Sequence, residues 1–552
     1  MEEQALESLE EKPDKDKGWK IARDCLKEGA LYLCVFLATV FLFVIVKPFT
    51  NFYHVGAFAK TVISLVFAGC GVFIAYMGAT KRLKARHILI VLLVAGYTLR
   101  VGYMLHTPAS VRQQDTYSKR FNGHEAYAWS LFATGKLPTT NDYQFYHPPL
   151  NAMLQATFMK IVNGLTAGFN NSWFPDAFAY GKPDYVDNQR YFLYSSCQIL
   201  AVLYSFITAV TMVKMLKLFN FGERTYLFLS AFVIFYPRHI QFAGMLNNDG
   251  ISYMLGVIAM YHALKWQKGN KHIARIVFCG LAVGLGMMAK LSSATVCAPI
   301  AGIFIYEFIR ALRKQEGALT FWKTFAQYAL FLAICAPIGL WFQVYAKARF
   351  DQGFGFVFSN LNKKLYTGDH SFFTRFIFPL DLSEFFGSLY CIPFEGNYYL
   401  FAYALKSSIF GEFSYWQGEG FAVASLVFAY LSVVLLAISL TWAVIRCVQT
   451  RGEEGGLFKR AKLNFPDLLF VFLLVQSQVL SEIYFYIKMP YGCTMDFRYI
   501  MPLILGVGLL LGYTREVLAV EGGKFSTVMN RLTLISVVGF LTVSMLFYCT
   551  CI

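Results

Sequence analysis

Charge is what this sequence has least of. Only 15% of its 552 residues are charged and 57% are hydrophobic, whereas a soluble chain carries about 25% charged residues. Apolar runs recur instead, among them Leu31 to Val46, Thr61 to Ala79, Phe421 to Ile445 and Leu532 to Cys551. Runs of about 20 apolar residues read as membrane-spanning helices. The short alternating segments of a membrane β-barrel are missing. So is any C-x-x-C pair. Most of the twelve cysteines lie inside apolar runs (Cys34, Cys70, Cys279, Cys297, Cys335), where they act as small hydrophobes and give no sign of zinc or redox work. Cys391 and Cys493 are both expected outside the cytoplasm, but their spacing gives no support for a disulfide. The chain shows no internal repeat and no low-complexity stretch. Its polar N-terminal tail lacks an apolar signal core followed by a small-residue cleavage site, so the first span is expected to stay as an anchor.

Hydropathy places spans at 30–47, 58–79, 88–105, 195–217, 225–238, 250–264, 275–289, 293–310, 325–346, 421–445, 465–487, 498–513 and 531–550. The expected fold is an all-α polytopic bundle of about thirteen transmembrane helices. With the N-terminus in the cytoplasm, the basic clusters Lys81-Arg82-Lys84-Arg86, Lys214/Lys217/Arg224, Lys265/Lys268/Lys271/Arg275, Arg310/Arg313/Lys314 and Arg446/Arg451/Lys459/Arg460/Lys462 all fall inside, as the positive-inside bias requires. The C-terminus then lies outside. This topology, rather than nucleic-acid binding, accounts for the net charge of +16.

The chain divides into a cytoplasmic tail (1–29), first spans (30–105), an outer segment (106–194), central spans (195–346), a second outer segment (347–420) and C-terminal spans (421–552). Loops this long are functional or disordered, and these hold too many aromatics for disorder. Stretches such as Phe372 to Leu389 suit helices lying in the membrane interface. Asn170-Asn171-Ser172 fits a glycosylation triplet that also arises by chance.

The first outer segment carries Asp115, His124 and Glu125, then Tyr146-His147-Pro148-Pro149-Leu150. A carboxylate at a membrane surface can serve as general base on a hydroxyl or amine, although a single loop Asp is more often a turn or cap residue. His124 suits a metal ligand or proton carrier, and more often such a histidine only bonds the fold. Asn247, Asn248 and Asp249 precede a helix, where capping competes with substrate contact. Lys290, Arg498 and Arg238 lie near the outer face, where holding phosphate competes with snorkelling to the interface. The second outer segment has Asp369, His370, Asp381, Glu384, Glu395 and Glu412 with no decisive spacing.

Five elements in order resemble the GT-C superfamily of membrane glycosyltransferases, in particular the protein O-mannosyltransferase-like group (glycosyltransferase family 39 and relatives), with the lipid A aminoarabinose transferases as cousins. They are the acidic first loop, the Pro-Pro-Leu element at Pro148, Met245-Leu-Asn247-Asn248-Asp249-Gly250, the glycine-rich stretch from Gly280 ending in Lys290, and Asp496-Phe497-Arg498-Tyr499-Ile-Met-Pro502. They span about residues 90 to 510. The resemblance implies a GT-C type bundle and inverting transfer from a polyprenyl-phosphate sugar to a lipid, glycan or protein acceptor outside the cytoplasm. Asp115 and then Glu125 are candidates for the base. Lys290, Arg498 and Arg238 would hold the donor phosphate. His124, His147, Asn248, Asp249 and Tyr146 would contact substrate. Many relatives carry adjacent Asp-Glu in the first loop, whereas this chain has His124-Glu125 with Asp115 upstream, which leaves the base assignment and a divalent metal open. The family subgroup points to a plasma membrane, with the endoplasmic reticulum as the alternative. The rival class is a transporter or flippase, which would place charges and broken helices at mid-membrane in repeated halves.

Overall fold

The computed structural model describes residues 15–49, 57–167, 173–356, 363–453 and 455–551. The Asn170–Ser172 triplet and residues 1–14 of the N-terminal tail lie outside the described residues. Among those described, regular structure is helical throughout, apart from one isolated bridge between Tyr366 and Tyr491. Ten helical stretches are long and apolar enough to cross a membrane. Every segment placed by hydropathy contains a helix, but three fall short of that measure. Glu223–Phe235 has 13 residues and Ile273–Ala289 has 17, while Asp249–Lys268 reaches 20 but is not apolar enough.

The first of these is short for a reason visible in the chain. Pro237 has no N–H to donate and disfavours helix at the residue before it. The helix therefore stops at Phe235, and the chain turns through Pro237–Gln241 and Phe242–Gly244 before Asp249–Lys268 begins. Irregular backbone at this depth is tolerated only where protein or a cavity surrounds it. Here Arg238, His239 and Gln241 are fully buried. A similar correction applies near Arg498. That residue does not open a span. It lies in a tight turn, Phe497–Ile500, where the Asp496 side chain accepts the Arg498 N–H at 3.1 Å, and the long helix Leu503–Glu521 starts only after Pro502.

Contacts draw several basic clusters together at what is here the basic end: Lys271 and Arg310 both meet Glu307, Lys268 meets Asp467, and Tyr513, which bonds Asp467, lines a cavity with Arg451 and Lys459. The two long connections meet each other at the loop end, where Gln114 donates to Glu412 at 3.4 Å. In the first connection lie His124–Thr134, Leu150–Thr166, Trp173–Phe178 and Asn188–Ser196; in the second, Phe372–Phe376, Ser383–Phe386 and Leu400–Phe410. The second connection turns apolar side chains outward, with Leu380 82% and Phe386 76% exposed.

Close packing sets the height of Lys290. A Cβ on Gly280 would lie 3.2 Å from the Phe331 carbonyl oxygen, and one on Gly284 would lie 2.9 Å from Ile338 Cβ. Small residues four apart let helix backbones approach, so Ile273–Ala289 packs tightly along Phe321–Phe350. The first connection is tied down by amides. Gln113 donates to the Gly244 carbonyl at 2.6 Å and accepts the Leu246 N–H at 2.9 Å, while Gln155 donates to the Leu246 carbonyl at 2.7 Å. Cys391 and Cys493 are free thiols.

Candidate active site

Two cavities stand out. The larger, about 630 Å³, opens at the basic end beside Cys447 and Tyr513, and none of the candidate residues lines it. The smaller, about 350 Å³, lies at the loop end, and Asp115, His124, Tyr146, His147, Asn248, Asp249, Lys290 and Arg498 all border it. Its chemistry, rather than its size, makes it the candidate site.

Asp115 is held in the left-handed region (φ 55°), which Asp tolerates better than most side chains. The first turn of His124–Thr134 fixes this conformation. The His124 N–H donates to the Asp115 carbonyl at 3.0 Å and the Glu125 N–H to that of Thr116 at 2.9 Å. Gly123 makes the turn possible, since a Cβ there would lie 2.5 Å from the Thr116 carbonyl oxygen. The Asp115 carboxylate accepts the Tyr143 hydroxyl at 3.0 Å, lies 3.7 Å from Arg498 Nη2, and keeps its side chain 37% exposed.

His124 and His147 stack at 5.7 Å between ring centroids, and Tyr146 leans on His147 at 4.0 Å. Burial holds the His124 imidazole down at about 4, and burial with neighbouring cations keeps His147 well below the usual histidine range. Both rings are therefore neutral at pH 7, each with one donor and one acceptor. Among the described residues no group of three or more His, Cys, Asp or Glu is arranged to hold a metal ion.

The cations come from a helix C-terminus and from the turn Phe497–Ile500. Lys290 caps Ile273–Ala289, pairs with Asp249 at the start of the next-door helix, and lies 4.6 Å from the Tyr499 ring centroid. Arg498 lies 4.8 Å from the same centroid and donates to the Tyr499 hydroxyl at 2.7 Å. Its Nε is buried with no hydrogen-bond acceptor, 3.6 Å from Asp496. A guanidinium with an unused donor beside a lysine is a ready anion cradle. Asn248 donates to the Ala289 carbonyl at 3.2 Å and so ties the two helix ends together.

Two candidates lie elsewhere. Glu125 faces Arg190, which reaches both its carboxylate oxygens at 2.5 and 2.6 Å, and it does not border the cavity. Burial raises the Glu125 carboxyl, and the Arg190 guanidinium opposes that rise. Arg238 is fully buried and grips Asp496 at 2.7 and 2.8 Å. Asp496 also accepts from Gln114 at 2.9 Å and caps the Arg498 turn. Arg238 thus orients Asp496, which orients Arg498, and does not itself border the cavity.

Sequence reasoning missed three acids here. In the sequence Asp496 stands out only as a neighbour of Arg498. Glu412 was one of several scattered acids. It accepts from Tyr403 at 2.6 Å, and burial, with Asp496 adding, lifts it to about 8. Glu482 borders the cavity from within the Phe465–Lys488 helix. An ionisable residue inside a span is itself a signal of function, and it was there to be read.

A polytopic helical membrane protein with a half-exposed carboxylate, two cations and two neutral imidazoles around one cavity is equipped for chemistry on an anionic substrate. Residues 140–349 match the model of the family described as dolichyl-phosphate-mannose-protein mannosyltransferase. The matched stretch takes in Tyr146, His147, Asn248, Asp249 and Lys290, and leaves Asp115 and Arg498 on either side. No curated protein sequence matches the chain.

Proposed function

We propose that the protein transfers a sugar from a polyprenyl-phosphate donor to a hydroxyl or amine acceptor at the loop end of the bundle, outside the cytoplasm. Lys290 and Arg498 hold the donor phosphate, the Lys290–Asp249 pair opening to admit it. Asp115 removes the acceptor proton as the acceptor attacks the anomeric carbon from the side opposite the phosphate. The acceptor–carbon bond forms and the carbon–phosphate oxygen bond breaks. The bonding pair leaves on the phosphate, and the sugar is inverted. Fixed cations stabilise the charge that develops on the leaving group, and the neutral imidazoles add hydrogen bonds without competing for the phosphate.

The observation that carries this reading is the Asp115 carboxylate, partly open to solvent and 3.7 Å from Arg498 in a cavity shared with Lys290. Glu125, with both oxygens against Arg190, is the weaker base. Gathering of several basic clusters at the basic end supports the assignment of sides. The test is transfer of label from purified polyprenyl-phosphate sugars to lipid, glycan and peptide acceptors by the protein in detergent. Label on an acceptor supports the reading. Donor left intact across the panel, with substrate moved across liposomes, overturns it in favour of a transporter.

A further inference from the structure

Among the described residues seven acids are buried: Glu125, Asp249, Glu307, Glu384, Asp467, Glu482 and Asp496. Arg190 holds Glu125, Lys290 holds Asp249, Lys271 holds Glu307, Lys268 holds Asp467 and Arg238 holds Asp496. The backbone N–H groups of Tyr398 and Tyr399 donate to Glu384 at 3.0 and 2.9 Å. Glu482 is the exception. It is 2% exposed, its Oε1 has no hydrogen-bond partner, and no cation of the described chain stands within ion-pair reach. A carboxyl buried in a membrane-spanning helix without a partner is costly, and a leucine of similar size would leave nothing unpaired.

The location suggests what supplies the missing partner. Glu482 borders the cavity together with Tyr484 and Phe485 of its own helix, and Phe485 packs edge-on against Tyr499 at 5.1 Å. Tyr499 also carries Lys290 and Arg498 on its ring. Those cations already face Asp249, Asp115 and Asp496. The cavity thus has a cationic region suited to phosphate and a region of aromatic rings with one uncommitted carboxyl. Sugars offer rings of hydroxyl donors and apolar C–H faces, and ligand sites typically combine apolar walls with a few placed polar groups.

We infer that Glu482 recognises the transferred sugar, hydrogen-bonding its ring hydroxyls while the sugar lies against the neighbouring aromatic side chains. This rests on the donor reading above and adds to it the group that distinguishes a glycosylated lipid phosphate from a bare one.

The test is equilibrium binding of bare polyprenyl phosphate and of polyprenyl-phosphate mannose, glucose and arabinose to the full-length protein in nanodiscs. Glu482→Leu, Glu482→Gln and Lys290→Met are compared with the parent. Glu482→Leu is expected to weaken the best glycosylated donor about 10- to 100-fold, leave bare polyprenyl phosphate within about 2-fold, and melt no lower than the parent. Glu482→Gln, which can still bond hydroxyls, should recover much of the loss. Lys290→Met should weaken both ligand types. Three results overturn the inference: Glu482→Leu weakening neither ligand, Glu482→Leu weakening both equally, or a parent that binds no glycosylated donor tighter than bare polyprenyl phosphate. A parent that binds no lipid phosphate at all defeats the donor reading instead.

Discussion

At the basic end of the bundle, buried acids are locked to cations. Glu307 lies 3.1 Å from Arg310 and 3.2 Å from Lys271, and Asp467 lies 2.5 Å from Lys268 while also accepting from Asn464 and Tyr513. At the loop end, Asp115 stands 3.7 Å from Arg498, and among the described residues Arg498 Nε has no hydrogen-bond acceptor and Glu482 Oε1 no hydrogen-bond partner. The two ends use the same residue types. The first arrangement is complete without a ligand and staples helices together. The second is incomplete, and unpaired polar groups around a cavity mark where a ligand is to be placed.

The comparison can be broken first at the Arg238–Asp496 pair, which lies at the loop end yet is fully closed. Arg238→Met removes the two short charged bonds to Asp496, which keeps only Gln114, the Arg498 N–H and the more distant Arg498 guanidinium, and is expected to lower stability by about 3 kcal/mol, measured by denaturation in detergent. Lys268→Met at the basic end should lower it less, because the Lys268 side chain is 20% exposed whereas that of Arg238 is fully buried. Next comes Arg498→Met, which should lower transfer about 10²- to 10³-fold in kcat/KM. Lys268→Met should leave kcat/KM unchanged.

The pH dependence of stability sharpens the contrast further. His124 is held at about 4, below its ordinary 6.5, so the unfolded chain takes up the proton more readily. Its contribution is intact above about 6.5 and is lost as pH falls from there towards about 4. Glu412 is held at about 8, above its ordinary 4.5. Its contribution is present below about 4.5 and is lost as pH rises from there towards about 8. Melting curves across this range should show His124→Gln flattening the acid flank and Glu412→Gln the alkaline one, with Lys268→Met altering neither. The smallest effect is expected at Arg446→Gln. That residue pairs with Glu521 at 3.1 Å but is 33% exposed, so its loss should lower stability by less than about 1 kcal/mol.

Much of this was legible in the sequence. Hydropathy located the helices because each span must bury its own backbone polar groups, and ordered motifs named Asp115, His124, His147, Lys290 and Arg498, which the fold brings to one cavity. What was not legible depended on partners far apart in the chain. Nothing local ties Glu125 to Arg190 or Arg238 to Asp496, so a conspicuous acid and a conspicuous cation looked available when the fold had committed both. Helix ends were blurred for the same reason. Arg498 reads as the start of an apolar run until the Asp496 side chain is seen capping the turn that precedes it.

The account rests on Asp115 as the group that takes the acceptor's proton, and the most direct measurement is single-turnover transfer by Asp115→Asn alongside its donor affinity. The expected result is a fall in transfer rate of about 10²- to 10⁴-fold with donor binding within a few-fold of the parent. Transfer at the parent rate in Asp115→Asn, with loss appearing instead in Glu125→Gln, would contradict it.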